Sequence, residues 1–190
     1  MTGDPYVDPA TGLLANKLGI TDTETLNQAI ADITAARLDQ LATRHLPGSY
    51  DLNHLKAFHR AIFSDIFEWA GQTRTVQIAK QTGFCLPQHI ETYAASEFAK
   101  LAKDNYLRQL AWPDFVDKLA YYQAEINELH PFREGNGRTQ RAFLYQLARE
   151  AGYHLDWTRV DADDNIEAAI AAHNGDLEPM RRLLRTITNR

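Results

Sequence analysis

The residues best suited to chemistry stand in one stretch, residues 130–141, which reads His-Pro-Phe-Arg-Glu-Gly-Asn-Gly-Arg-Thr-Gln-Arg. Gly135 and Gly137 flank Asn136 at the start of an apolar helical pattern. Glycines allow positive φ angles and close backbone approach, so successive N–H groups can converge on an anion. The unpaired N–H groups and dipole of the following helix add to this attraction. The pattern indicates a phosphate-binding loop.

Charged side chains on both sides of this loop extend the chemistry. Arg138 and Arg141 are three residues apart, so they share a helix face and can both reach phosphate oxygens. Glu134 would repel a phosphate unless a cation lay between them, which predicts Mg²⁺ at this carboxylate. His130 is the residue here whose ordinary pKa suits removal of a hydroxyl proton near neutral pH.

Each of these features has a plainer interpretation when taken alone. A histidine at a helix end is often a cap, a Gly-Asn-Gly is often a turn, and surface arginines are usually solvated. Their combination within twelve residues favours a functional site. A non-catalytic scaffold that only binds a nucleotide is the alternative, and His130 argues against it because binding needs no base.

The elements that position this stretch are mostly helices. Apolar residues recur at helical spacing along most of the chain, whereas residues 75–86 alternate with a period of two and predict a short β-hairpin. The predicted fold class is therefore all-α with one hairpin. The predicted helices cover about 22–44, 52–70, 90–101, 113–129, 137–152, 162–173 and 177–188.

Composition limits the class of protein. The chain has 190 residues, 44% of them hydrophobic, and a net charge of −5, which is typical of a globular protein and disfavours direct nucleic-acid binding. The single cysteine excludes an internal disulfide and a Cys-based zinc site. We find neither a membrane span nor a signal peptide in the sequence, so a cytoplasmic location is expected. We expect one structural unit, in which residues 1–48 form an N-terminal arm and helix packed on a catalytic domain at 49–190.

Residues 130–141 resemble the signature of the Fic (Fido) family, His-x-Phe-x-[Asp/Glu]-Gly-Asn-Gly-Arg-x-x-Arg, at all eight specified positions. Residues 66–71 look like the family's helix end before its hairpin. Residues 6–20 are similar to the N-terminal arm of short Fic proteins, and residues 174–176 to the family's C-terminal end. The resemblance covers nearly the whole chain and implies a Fic-type helical domain with a β-hairpin flap.

The resemblance implies a protein adenylyltransferase, which moves AMP from ATP to a Ser, Thr or Tyr hydroxyl of a target protein and releases pyrophosphate. His130 would then be the catalytic base, and Glu134 would hold Mg²⁺ on the α- and β-phosphates. The implied anion hole is Gly135, Asn136 and Gly137, with Arg138 and Arg141 on the β- and γ-phosphates.

The family also uses the hairpin as a flap that pairs with an extended segment of the target, a mode that needs little sequence specificity. Residues 75–86 would form this flap. The residues expected nearest the target are Lys80, Gln81, Thr82, Gly83 and Phe84.

Other members of the family leave alternatives open. A Doc-like phosphotransferase has Lys at the position of Gly137, so the intact Gly-Asn-Gly favours nucleotidyl transfer. A related activity, transfer of phosphocholine from a CDP-linked donor, stays open. The resemblance associates short Fic toxins with type II topoisomerase ATPase subunits, and secreted effector Fic domains with host GTPases. Secretion into a host cell therefore also stays open.

Regulation is the last feature that the resemblance implies. Many Fic proteins carry a helix with Ser/Thr-x-x-x-Glu, whose glutamate pairs with the arginine equivalent to Arg141. This chain has that pattern only at Ser64 and Glu68, inside the second predicted helix. We therefore expect a separate small antitoxin to supply the inhibitory glutamate.

Overall fold

Helices make up most of the computed structural model, which describes residues 3–78 and 83–190. The α-helices in this part of the chain are α1 (Thr23–Thr43), α2 (Leu52–Phe63), α3 (Ile90–Lys103), α4 (Trp112–Leu129), α5 (Asn136–Glu150), α6 (Ala162–His173) and α7 (Glu178–Ile187). Two short strands, β1 (His154–Leu155) and β2 (Thr188–Asn189), pair antiparallel, with His154 opposite Asn189. The predicted all-α class is confirmed.

The second helix is shorter than predicted. It ends at Phe63, after which the Ile66 N–H donates to the Phe63 carbonyl, three residues back, at 2.9 Å and the chain tightens into a turn. The chain continues through turns in which Ile66, Phe67 and Trp69 stay buried. The apolar pattern therefore persists beyond the helix, and the prediction that the helix reaches residue 70 was wrong.

Two apolar clusters surround the motif. The larger one joins α2 to α7 and includes the inner faces of α4 and α5. The smaller one lies between the N-terminal arm, α1 and the turns after α2, and there Tyr6 packs edge-on against Trp69 with ring centroids 5.3 Å apart. Helix α1 also contacts α5, so the smaller cluster reaches the helix that follows the predicted phosphate-binding loop.

The predicted flap is described at both of its arms. In residues 75–78 and 83–86 no strand of two or more residues is formed, but the Gln77 amide donates to the Phe84 carbonyl over 3.1 Å and links the arms. Lys80, Gln81 and Thr82 lie outside the described residues. In the described part of the chain, no helix has the length and apolar character needed to cross a membrane.

Candidate active site

His130 lies where α4 ends. Its backbone is left-handed, with φ 40° and ψ 59°, and its N–H donates to the Ile126 carbonyl over 3.1 Å. Nδ1 is 3.2 Å from the Asn127 carbonyl, an acceptor, so Nδ1 carries the proton and the neutral ring has its lone pair on Nε2. The imidazole stacks on the Phe84 ring, with centroids 3.7 Å apart and an angle of 12° between the planes.

The loop between α4 and α5 is anchored by Phe132 and Asn136. Phe132 is buried and stacks on His59, with centroids 3.9 Å apart. The Asn136 side chain accepts from the Phe132 N–H at 2.9 Å and donates to the Phe132 carbonyl at 2.7 Å. The side chain of Asn136 thus closes the loop on itself, so its backbone N–H, at the first position of α5, is the group that can face an anion.

Both the backbone conformation at position 135 and the side chains around it require a glycine there. Gly135 precedes α5 with φ 81°, in the left-handed region, and a Cβ there would lie 2.2 Å from Phe63 Cζ. Gly137 is different, because it is exposed and helical and an added Cβ would meet only Arg141 Nη1, at 3.6 Å. Gly137 thus keeps open the space beside the Arg141 guanidinium.

The predicted metal ligand and the first predicted phosphate ligand contact each other. Glu134 Oε1 lies 3.1 Å from Arg138 Nη2. Arg138 also donates to Thr34 Oγ1 of α1 over 3.1 Å, and its guanidinium lies 5.0 Å from the Phe63 ring centroid. Thr34 is therefore a site residue that the sequence analysis missed, because it lies about a hundred positions away in the chain.

Arg141 is the second arginine of the motif, and it is half-buried on α5. No hydrogen bond or ion pair joins its guanidinium to the residues that the structure describes. Burial lowers the pKa of Arg141, and the positive charge of Arg138 lowers it further. Two neighbouring guanidinium groups of which one lacks a counter-ion form a site that an anion would stabilise.

Glu134 has the properties of a ligand for a metal that arrives with a nucleotide. Its side chain is 42% exposed, and of its two carboxylate oxygens only Oε1 is engaged, by Arg138. Within residues 3–78 and 83–190, no three His, Cys, Asp or Glu side chains are grouped closely enough to hold a metal on their own. Mg²⁺ is commonly bound by one or two carboxylates together with substrate phosphates, so a single carboxylate beside the phosphate loop fits it.

His59 supports the loop from α2 and was also missed from the sequence, where it reads as a residue on the apolar face of a helix. It is fully buried. Nδ1 accepts from the Gly71 N–H at 2.8 Å, so Nε2 carries the proton and donates to the Glu134 carbonyl at 3.0 Å. Burial lowers the pKa of His59 to about 4. The neutral ring thus fixes the backbone of the predicted metal ligand.

This buried histidine predicts a loss of stability in mild acid. The unfolded chain takes up a proton near pH 6.5, whereas folded His59 does so only near pH 4. Between these values the free energy of unfolding should fall by about 1.4 kcal/mol per pH unit as pH decreases, and above them this contribution is constant. Urea unfolding of the wild type and of His59→Gln, which keeps a donor and an acceptor, checks this. An equally steep pH dependence in His59→Gln would contradict it.

Comparisons with known proteins identify the family to which this chain belongs. Residues 49–148, more than half of the chain, match the family model described as Fic/DOC family. The chain is 40% identical to the probable protein adenylyltransferase y4lH of Sinorhizobium fredii, over 96% of this chain and 94% of that protein. The chain therefore belongs to the Fic/DOC family, as its motif predicted.

Two further relatives show how far the similarity extends. Protein adenylyltransferase VbhT of Bartonella schoenbuchensis is 43% identical over 97% of this chain, which spans 39% of VbhT. The crystal structure of the BepC protein of Bartonella tribocorum, with bound AMPPNP, superposes with a TM-score of 0.89 at 26% identity. It covers 97% of this chain and 96% of the BepC chain.

Proposed function

We propose that this chain transfers AMP from ATP to a Ser, Thr or Tyr hydroxyl of a target protein and releases pyrophosphate. The observation that carries the proposal is the half-buried Arg141, which follows Gly135, Asn136 and Gly137 on α5 and whose guanidinium has no counter-ion in the described residues. The predicted enzyme class is confirmed by relatives named protein adenylyltransferases that are 40–43% identical along almost the whole chain. The AMPPNP bound to BepC supports ATP as the nucleotide.

The geometry of the site indicates a role for each residue in this proposed reaction. His130, held by Asn127 through Nδ1, would take the hydroxyl proton at Nε2. The hydroxyl oxygen would then bond to the α-phosphorus, and the bond from that phosphorus to the α–β bridging oxygen would break. Backbone N–H groups of residues 135–137 would stabilise the charge on the α-phosphate oxygens. Arg138 and Arg141 would hold the β- and γ-phosphates that leave together.

Nucleotide binding would replace the ion pair between Glu134 and Arg138 by two other interactions, one of Glu134 with Mg²⁺ and one of Arg138 with phosphate oxygens. Glu134 and Arg138 neutralise each other in this structure. Glu134 would hold Mg²⁺, whose charge would offset that of the phosphates. Arg138 would then turn from the Glu134 carboxylate to phosphate oxygens, with Thr34 still holding its other nitrogen.

Radiolabel on different phosphates of ATP tests the reaction class. The purified chain, incubated with Mg²⁺ and ATP in a bacterial lysate, should label a protein from the α-phosphate and not from the γ-phosphate. A Doc-like phosphotransferase would give the opposite result, and a scaffold that only holds a nucleotide would label nothing. The same assay in a eukaryotic cell lysate then separates a bacterial topoisomerase ATPase subunit from a host GTPase as the labelled protein.

Replacing Glu134 with glutamine should lower the transfer rate about 10- to 100-fold, because the side chain keeps its size but loses the charge that holds Mg²⁺. Added Mg²⁺ should restore only part of the rate. ATP affinity without metal should not fall, since Arg138 is released from its partner. Titration of transfer rate against Mg²⁺ measures this, and Asp65→Asn, which removes the partner of Arg37 on the surface, is a matched control. An unchanged Mg²⁺ dependence in Glu134→Gln would exclude Glu134 as a ligand.

The flap is proposed to bind the target through residues 80–84. Phe84 supports this placement, because its ring covers the imidazole of His130. Gly83, beside it, adds no side chain that would obstruct an incoming segment. A target segment that enters here would bring its hydroxyl next to the proposed base.

The inhibitor is proposed to be a small partner protein with a Ser/Thr-x-x-x-Glu helix. Arg141 supports this, since among the described residues no carboxylate pairs with it. The chain's own Ser64 and Glu68 lie in turns, and Glu68 faces solvent 3.9 Å from Lys17. Self-modification of the purified chain should stop when such a partner is added. A glycine in place of the partner's glutamate should restore activity while the complex persists.

A further inference from the structure

Arg74, in the segment between α2 and the flap, has an unusual set of partners. It is 2% exposed, and its guanidinium donates to three backbone carbonyls. Nε reaches His130 at 2.8 Å, Nη1 reaches Val76 at 2.9 Å, and Nη2 reaches Cys85 at 2.5 Å. Its own N–H donates to the Pro131 carbonyl at 2.8 Å.

The charge of Arg74 is buried without an anion. In the described residues no carboxylate forms an ion pair with it, and burial lowers the pKa of Arg74. A buried charge is tolerated when it is hydrogen-bonded, and here each of the three guanidinium nitrogens donates to a carbonyl dipole in place of a counter-ion. An apolar side chain could fill the same volume at a lower free-energy cost of desolvation. What an apolar residue could not supply is the fixed planar fork that holds three carbonyls in set directions.

These three carbonyls belong to the two parts of the site that must meet. Val76 and Cys85 stand on the two described arms of the flap, on either side of residues 79–82. His130 is a non-glycine residue in the left-handed region, a conformation that needs support from its surroundings. Phe84, directly before Cys85, stacks on the imidazole. One side chain therefore sets the spacing between both flap arms and the proposed base.

We propose that Arg74 is a positioning residue that holds the two described flap arms, residues 75–78 and 83–86, at His130 and fixes the angle of the imidazole. Among the described residues it forms no hydrogen bond to Gly135, Gly137 or the two motif arginines, so its effect on transfer is exerted through His130 and through docking of the target. This inference rests on the proposed function, but its structural part can be tested without any activity.

The first test measures the position of the imidazole directly. In the wild type the stacked Phe84 ring should shift the His130 ring protons upfield in the NMR spectrum of the ligand-free chain. Arg74→Met should remove most of this ring-current shift, and Phe84→Leu gives the reference for its complete loss. His130 shifts that stay at the wild-type value in Arg74→Met would overturn the inference, even if the wild type proved inactive.

The second test separates positioning from folding through steady-state kinetics. Arg74→Met should lower kcat about 10- to 100-fold, as misplaced catalytic groups do, and raise KM for the target without changing KM for ATP. Arg74→Lys, which keeps the charge but has a single donor group, should lie between Arg74→Met and the wild type. It provides the same comparison should Arg74→Met fail to fold.

Gln146 on α5 offers a matched control. Its buried amide also bonds backbone groups, accepting from the Leu46 N–H at 2.8 Å and donating to the Leu46 carbonyl at 2.9 Å. It lies ten residues along α5 from Asn136, roughly 15 Å away. Gln146→Ala should cost stability without changing kcat per folded molecule. If Arg74→Met lost activity only in proportion to its unfolded fraction, as expected for Gln146→Ala, Arg74 would be merely structural.

Discussion

Removing the imidazole of His130 should lower the transfer rate about 10²–10⁴-fold, the usual contribution of a general base. ATP binding should persist, because the glycine loop, Arg138 and Arg141, which form the proposed phosphate site, are unchanged in such a variant. A loss of rate at unchanged nucleotide affinity is the pattern of a group that acts only in the transition state. Single-turnover transfer of α-phosphate label, together with calorimetric ATP titration, separates the two quantities.

The left-handed backbone of His130 calls for two variants. His130→Ala removes the base but places a residue that disfavours positive φ at 40°. His130→Asn also removes the base, and asparagine tolerates this conformation well. If both variants lose transfer to the same extent, the missing base is responsible and not a distorted loop. Wild-type transfer by either variant would place the base elsewhere.

The sequence predicted the features that depend on neighbouring residues. The bounds of α1, α4 and α5 follow from apolar spacing and from Pro131, and the structure places these helices within about two residues of the prediction. The family motif was also recognisable, because its histidine, glutamate, glycines and arginines all lie within residues 130–141. The helix before the flap was misjudged, because buried residues in turns continue the spacing of the helix.

Contacts between distant residues could not be predicted from the same patterns. Thr34, His59 and Arg74 each support the motif from another segment, and their residue types have ordinary uses elsewhere in a protein. The double hydrogen bond of Asn136 to Phe132 is local, yet residue type alone does not distinguish a loop clamp from an anion ligand. A hypothesis for the chemistry of the site could therefore be formed from the sequence, whereas the residues that support the site depend on the tertiary fold.

The largest effect on stability is expected from Gly135→Ala. Alanine at φ 81° costs about 1–2 kcal/mol. Its Cβ would also overlap the Phe63 ring at 2.2 Å, and such overpacking costs typically 1–3 kcal/mol. Phe63 cannot easily give way, because it is fully buried and stacked on His59 with centroids 4.7 Å apart. Urea unfolding should thus show a loss of about 2–5 kcal/mol.

A control variant at Gly152 separates the cost of the positive φ angle from the cost of steric overlap with Phe63. Gly152 has φ 88° and nothing within 4 Å of an added Cβ, so Gly152→Ala should show the conformational cost alone. The double variant Gly135→Ala with Phe63→Leu should recover part of the difference, since the smaller side chain opens space for the methyl group. A loss in Gly135→Ala no greater than in Gly152→Ala would contradict the steric account. ATP affinity should fall in Gly135→Ala and stay unchanged in Gly152→Ala. A displaced Gly135 tilts the first turn of α5, whose N–H groups and arginines form the proposed phosphate site.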